Sequence, residues 1–309
     1  MDEIVLALGG GGIKGIAHVG VIRVLEEEGF KIRAIAGTSA GGLVGSLVAS
    51  GLNSYDIEKL LHEYNTPRIF GRNHNDGPSL LGLAGIAELL AKTMPDMNFE
   101  DCVVPFACTA VDLEKSQEVI LAKGPLIDAI LATMAVPGVF PPRQIGQFTL
   151  VDGAVMDPVP VTLARWLAPA SPVVAVCLSP SPDKWAHLSA QLHVPVSTPL
   201  PKQIIEQFSR MRFGQALQIF AHSIETTSRV LSELRLQQDR PDVLIRPAVE
   251  NFGMLDQVDP HELILIGELA CRQSLSEIRQ ALSWSNQISR YFKKPQPPEA
   301  IMPDTLQSA

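Results

Sequence analysis

No stretch of the 309 residues approaches the ~20 consecutive apolar residues that carry a helix across a bilayer, so nothing in the pattern asks for a membrane span. Cysteine is scarce: the four, Cys102, Cys108, Cys177 and Cys271, are far apart and make no C-x-x-C pair. That excludes a disulfide framework and a thiolate zinc site, leaves a reducing compartment as the default, and puts Cys108 and Cys177, which sit in apolar runs, in the core. Positive charge is short, with 25 Lys and Arg against 33 Asp and Glu and a net charge of −8. A polyanionic partner is therefore repelled, which excludes nucleic acid. A lipid surface is a different case, because apolar contact and a local basic patch outweigh net charge there. The chain starts Met-Asp-Glu and meets glycine after five apolar residues, too few for a secretory leader. The expectation is a cytoplasmic protein with transient contact at the inner membrane face. Charged residues make up only 19% against 46% apolar, so the chain buries a large core. No internal repeat appears, and no linker divides the chain into two domains.

What is present is glycine and serine at the ends of apolar runs. Strand-like runs fall at residues 4–8, 34–36, 106–111, 148–151, 173–178 and 243–245, mostly separated by helical patterns. Several are apolar throughout, as strands of a parallel sheet covered on both faces should be. The first run leads into four consecutive glycines, Gly9 to Gly12, and then a helix over 13–28. Glycine amides at a helix start have no side chain in the way and suit a developing oxyanion. The second run ends in Gly37-Thr38-Ser39-Ala40-Gly41, a G-x-S-x-G turn that pushes a serine hydroxyl into a cleft. Beyond it Gly41, Gly45 and Ala49 form a smooth helical stripe that fits close against a sheet.

An unassisted serine is a poor nucleophile and needs a base. The candidate is Asp152 in Phe148-Thr149-Leu150-Val151-Asp152-Gly153-Ala154, where a strand delivers a carboxylate to its tip with small residues beside it. The preceding Val136-Pro137-Gly138-Val139-Phe140-Pro141-Pro142 is a stiff turn that directs that strand. A carboxylate of ordinary pKa near 4 is a weak base, so it needs a close, dry, preorganised position.

These motifs, in this order, resemble the patatin-like phospholipase family, particularly its compact bacterial members. The likeness rests on Gly10-Gly11-Gly12-Ile13-Lys14-Gly15, on Gly37-Thr38-Ser39-Ala40-Gly41 and on Asp152-Gly153-Ala154. It covers residues 4–180 and continues more faintly to residue 282. The resemblance implies a three-layer α/β/α sandwich with a mostly parallel sheet, forming one acyl hydrolase domain over 1–292. It implies hydrolysis of phospholipid or lysophospholipid esters by a Ser39–Asp152 dyad without a catalytic histidine. Gly10, Gly11 and Gly12 take the oxyanion hole, and Lys14 the basic position, where an anionic head group would bind. No metal and no organic cofactor is implied. Two residues depart from the family pattern: Ala154 replaces a commoner glycine, and Asp157 stands where asparagine is more usual, either as an acid that perturbs Asp152 or simply as the start of an Asp-Pro turn.

Other readings compete. Gly10-x-Gly12-x-x-Gly15 fits a dinucleotide fingerprint, but the second strand ends in Ala36-Gly37-Thr38-Ser39 with no acid for a ribose. A P-loop fails because no Gly-Lys-Ser/Thr follows. A Ser-Asp-His triad would draw on His187, His193, His222 or His261, none in a short loop after a late strand. His18 shares a helix face with Lys14 and reads as a solvated or loosely packed position. A non-catalytic lipid-binding protein would have lost Ser39 or Asp152, and both are present.

Three segments interrupt the core pattern: a polar stretch at 66–79 followed by an apolar helix at 80–91, a proline-rich flap at 179–202, and a polar tail at 293–309. An amphipathic helix over 203–235 has its apolar stripe on the core and a slightly basic charged face.

Overall fold

The first strand runs apolar without alternation because both of its faces are covered. In the computed structural model, which describes residues 2–64, 67–72, 76–77, 79–187, 212–283, 297–298 and 300–301, residues 4–8 of that strand are wholly buried. The strands in chain order are β1 (Glu3–Leu8), β2 (Lys31–Gly37), β3 (Phe106–Asp112), β4 (Gln117–Leu121), β5 (Arg143–Ile145), β6 (Phe148–Asp152), β7 (Val173–Val176) and β8 (Val243–Ile245). They form one mixed sheet in the order β5-β6-β3-β2-β1-β7-β8, with β4 paired to β3 outside that path. Pairing is parallel from β3 through β2, β1 and β7 to β8. It is antiparallel where β3 meets β4 and β6, and where β5 meets β6.

The helices are α1 (Ala17–Glu27), α2 (Ala40–Ala49), α3 (Ser54–Tyr64), α4 (Ala84–Thr93), α5 (Leu126–Thr133), α6 (Val161–Leu167), α7 (Arg212–Asp239) and α8 (Pro260–Ala281). Alternate residues of β1 divide between two cores. Ile4, Leu6 and Leu8 pack with side chains of α1, α2, α4, α5 and α8, whereas Val5 and Ala7 pack with α6 and with Leu236 of α7. The three-layer α/β/α sandwich expected from the sequence follows from that division.

One topological detail positions everything below. Residues 108–112 of β3 pair with β4 along one edge. Along the other edge, β2 pairs with residues 106–108 and β6 with residues 110–112. β2 is parallel to β3 and β6 antiparallel to it, so the two strands share one edge and meet at their carboxyl ends. Gly37 lies opposite Cys108 and Asp152 opposite Ala110.

Several boundaries differ from the pattern in the sequence. The helix expected over 13–28 begins as a 3-10 turn, Gly12–Ile16, before α1 takes over, and the helix expected at 80–91 is α4 at Ala84–Thr93. β4 and β5 were hidden: β4 opens with the polar Gln117 and Glu118, and β5 is only three residues long. The flap contains a 3-10 helix, Pro182–His187, and its residues 188–202 lie outside the described residues. Of the amphipathic segment, residues 203–211 lie outside them too, and the rest is α7. In the C-terminal segment, Ile301 bonds to β4: its N–H donates to the Glu118 carbonyl at 2.9 Å, and the Ile120 N–H donates to its carbonyl at 2.9 Å.

α1 and α8 pack backbone to backbone. A Cβ at Gly20 would overlap the Ile264 carbonyl oxygen, and one at Gly267 would overlap that of Ala17. Arg23 of α1 then bridges Glu58 of α3 at 2.6 Å and Glu268 of α8 at 3.0 Å. Gly20→Val should force the two helices apart and cost roughly 2–3 kcal/mol, the usual scale of overpacking. Urea denaturation of the variant checks this, and an unchanged midpoint would mean that the helices are not held in contact.

Candidate active site

β2 ends at Gly37, and two residues later Ser39 heads α2 with φ 55 and ψ −123, a conformation costly for any residue with a side chain. The turn is that tight because Gly41 sits directly on the Leu8 carbonyl, where a Cβ has no room. Thr38 and Ser39 are then held from three sides. The Thr38 hydroxyl donates to the Asp157 carbonyl at 2.9 Å and lies 2.8 Å from the Thr109 hydroxyl. Its single proton goes to Asp157, so Thr109 is the donor in the second bond. The Ser39 N–H donates to Thr133 Oγ1 at 2.9 Å.

Asp152 arrives from the opposite direction at the tip of β6. Its N–H donates to the Ala135 carbonyl at 3.0 Å, and its Oδ1 accepts the Ala154 N–H at 2.8 Å. The side chain is buried and Oδ2 has no partner with hydrogen-bond geometry among the described residues. Burial pushes the Asp152 carboxyl up to about 7, opposed by the nearby Ser39 hydroxyl and by the Ala154 N–H. Asp157 does not contribute to that rise, which goes against the first of the two readings of it. Its carboxyl faces Glu118, Arg235 and Asp239 instead, and is itself raised by burial and by those two acids.

The glycine loop is fixed at its base and open at its tip. Gly9 N–H donates to the Val176 carbonyl at 3.0 Å, and Gly10 N–H donates to the Pro158 carbonyl at 3.0 Å. Of the three amides expected at an oxyanion hole, Gly10 is therefore engaged, and those of Gly11 and Gly12 have no acceptor among the described residues. His18 supplies the other anchor. It is not loosely packed but fully buried, with Nε2 2.8 Å from the Gly9 carbonyl. Burial lowers its pKa to about 4, so it is neutral near pH 7 and must carry its proton on Nε2 to make that bond. The Gly9–Gly10 peptide is thus held by both its C=O and its N–H.

Gly10, Gly11, Gly12, Lys14, Ser39 and Asp152 all line one cavity of about 270 Å³. Val136, Pro137, Val155, Leu178, Ile224, Leu231 and Met254 give it apolar walls, and α7 adds Glu225 and Arg229. Lys14 is buried, with Nζ 3.4 Å from Glu225. Thr133, Glu225, Arg229 and Met254 reach the cavity or the serine only through the fold, and no local motif marks any of them as part of a site. Among the described residues no histidine is in that lining. His261 pairs with Glu58 at 2.9 Å, while His193 and the side chains of His187 and His222 lie outside the described residues. Among the described residues no group of three His, Cys, Asp or Glu is placed to hold a metal, and no helix is long and apolar enough to cross a membrane.

A family model described as patatin-like phospholipase matches residues 6–165. An uncharacterized NTE family protein of Mycobacterium tuberculosis is 34% identical over 164 residues, covering 52% of this chain and 44% of its own. Lysophospholipase NTE1 of Saccharomyces cerevisiae is 32% identical over 175 residues, covering 53% of this chain and 10% of its own. The crystal structure of VipD from Legionella pneumophila aligns with a TM-score of 0.47 and 12% identity, covering 91% of this chain and 67% of that one. The chain spans less than half the length of the curated relatives it matches.

The raised carboxyl has a consequence for stability. The native state holds the Asp152 proton more tightly than the unfolded chain does, so its stabilisation is complete below about pH 4 and is lost as pH rises through about 7. Asp152→Asn keeps the acceptor for Ala154 but has no charge to bury. The melting temperature of the variant relative to wild type should therefore climb as pH is raised from about 5 to about 8. A difference that stays flat across that range would show that Asp152 titrates as an ordinary carboxyl.

Proposed function

The chain belongs to the patatin-like phospholipase family, and on that premise we propose that it is a serine acyl hydrolase that cleaves fatty acyl esters of phospholipids or lysophospholipids. Ser39 attacks the ester carbonyl as Asp152 Oδ2 takes its proton. The tetrahedral oxyanion forms against the Gly11 and Gly12 N–H groups, with Gly10 holding the loop in place through Pro158. The protonated Asp152 then gives its proton to the departing alcohol, leaving an acyl group on Ser39. Water, deprotonated by Asp152, releases the fatty acid and restores the serine.

The observation that carries this reading is Asp152: a buried carboxyl pushed up to about 7, acted on by the Ser39 hydroxyl and in the same cavity as Ser39. A base works best when its pKa lies near the working pH, and an ordinary carboxylate does not. The two unengaged amides supply the electrostatic stabilisation that is usually the largest contribution to such a reaction. His18 is not available as a third member, since its Nε2 is spent on the Gly9 carbonyl. A non-catalytic lipid-binding protein of the same fold would have no use for a strained serine beside a raised carboxyl. The apolar walls fit an acyl chain, and Lys14 fits an anionic head group. Contact with a lipid surface and a cytoplasmic site of action belong to the same proposal.

Labelling with a fluorophosphonate, followed by peptide mass spectrometry, tests the pair directly. The adduct should map to Ser39, vanish in Ser39→Ala, and form at least about 100-fold more slowly in Asp152→Asn. A folded wild type that stays unlabelled even with lipid micelles would favour the binding protein. The pH dependence is a separate check. The labelling rate should fall as pH drops through about 7, because the base is then protonated. A midpoint near 4 would mean that Asp152 is not raised in the working enzyme.

A further inference from the structure

Consecutive glycines have more backbone freedom than any other run of the same length, and no side chain with which to pack. A loop such as Gly9 to Gly12 keeps one shape only if its peptide groups are bonded from outside. At its far end the Ile13 N–H donates to the Met254 carbonyl at 2.8 Å. Met254 also closes over Gly12, which has φ 61 and where a Cβ would overlap the Met254 carbonyl oxygen. At its near end the Gly9 and Gly10 N–H groups donate to the Val176 and Pro158 carbonyls. Those three bonds run from backbone to backbone and come with the fold. The fourth restraint is the bond from His18 Nε2 to the Gly9 carbonyl, the one side-chain bond to the loop among the described residues.

The Gly9–Gly10 peptide is the sensitive point. Between two glycines a peptide group turns over at little steric cost, and a turn here re-aims the next amide, that of Gly11. The loop meets the nucleophile at the same place, since a Cβ on Gly10 would lie 3.1 Å from the Ser39 Cβ. Turning the peptide over breaks the His18 and Pro158 bonds together. His18 is a poor choice for merely filling space. Its Nδ1 is buried with no partner among the described residues, and an unpaired buried acceptor is costly where an apolar side chain has none. What the imidazole offers in return is a rigid ring that sets a donor at one fixed point.

We propose that His18 is a positioning residue for the oxyanion hole: its Nε2–H holds the Gly9–Gly10 peptide in the one orientation that aims the Gly11 and Gly12 amides at the ester oxygen. The proposal rests on the reading that Ser39 attacks an ester. His18 touches neither the substrate nor the serine and acts only through the loop.

Hydrolysis of p-nitrophenyl butyrate and of its thionoester by the full-length protein tests this. In the thionoester sulfur replaces the carbonyl oxygen and accepts N–H bonds weakly. His18→Leu should lower kcat on the oxygen ester roughly 100-fold with KM nearly unchanged, the scale of one lost oxyanion donor. On the thionoester the loss should be about threefold or less, because sulfur gains little from the hole. His18→Gln carries an amide nitrogen the same number of bonds from the backbone as Nε2, and should recover most of the rate. His18→Asn falls one bond short and should not. Amide hydrogen exchange in the peptide spanning residues 9–13 should quicken in the Leu and Asn variants and stay at the wild-type rate in the Gln variant. Equal losses on both esters in all three variants, or a wild-type kcat in His18→Leu, would show that His18 only fills the core. Melting curves confirm that each variant is folded, and if His18→Leu is not, the Gln and Asn variants carry the same comparison. A wild type that hydrolyses neither these esters nor phospholipid micelles overturns the hydrolase reading, and the positioning role with it. An active wild type indifferent to His18 overturns the positioning role alone.

Discussion

Thr133 and Ala135, two residues apart at the end of α5, hold the backbone N–H groups of Ser39 and Asp152 respectively. Ser39 sits in a conformation that its own backbone would leave, and Asp152 carries a carboxyl that its surroundings penalise. Both are retained because one short piece of chain grips each of them, and because β2 and β6 are lodged end to end along a single edge of β3. Neither strand can slide without losing its bonds to β3, so the separation of the two tips is fixed by the sheet. The same logic extends to the glycine loop, where His18 and Pro158 hold the two ends of one peptide group. The candidate site is thus built less from its own side chains than from backbone groups held in place by neighbours.

Two buried aspartates five residues apart show how strongly surroundings decide chemistry. Asp152 faces a hydroxyl and an amide, with no second acid acting on it. Asp157 faces Glu118, Asp239 and the guanidinium of Arg235, with its Oδ2 3.5 Å from Arg235. Asp157 nevertheless serves the serine through its backbone, by accepting the Thr38 hydroxyl. Its carboxyl joins β4 and α7 on the far side. A carboxylate shared among acids is suited to tethering elements, whereas a lone one with an open oxygen is suited to moving a proton.

The layered architecture and the tips of β1, β2 and β6 were legible in the sequence because local features determine them. Apolar runs without alternation mark strands covered on both faces, and glycines mark places where backbone must touch backbone. The G-x-S-x-G turn and the strand before Asp152 carry their geometry within a few residues. What escaped had no local signature. Thr133 is a small polar residue ending an apolar helix, and only the fold sets its hydroxyl under Ser39. His18 looked like the outer face of a helix, because its spacing from Lys14 does not tell that both side chains turn inward. That Gly10 N–H is engaged depends on Pro158, which lies 148 positions away in a segment with no distinctive pattern. β4 and β5 are short or polar at their ends, so periodicity had little to act on.

The return of the chain at Ile301 bears on how the molecule behaves among its own copies. β4 is bonded to β3 on one side only, and its other side would offer open amides and carbonyls to any extended peptide. Ile301 occupies the Glu118 carbonyl and the Ile120 amide, capping that rim at its middle. That stretch of the β4 rim is thereby closed to a strand from a neighbour, and a closure of two hydrogen bonds is one that trimming the chain a few residues earlier would remove. Resistance to edge-to-edge pairing along β4 is in this sense written into a residue far along the chain from the serine.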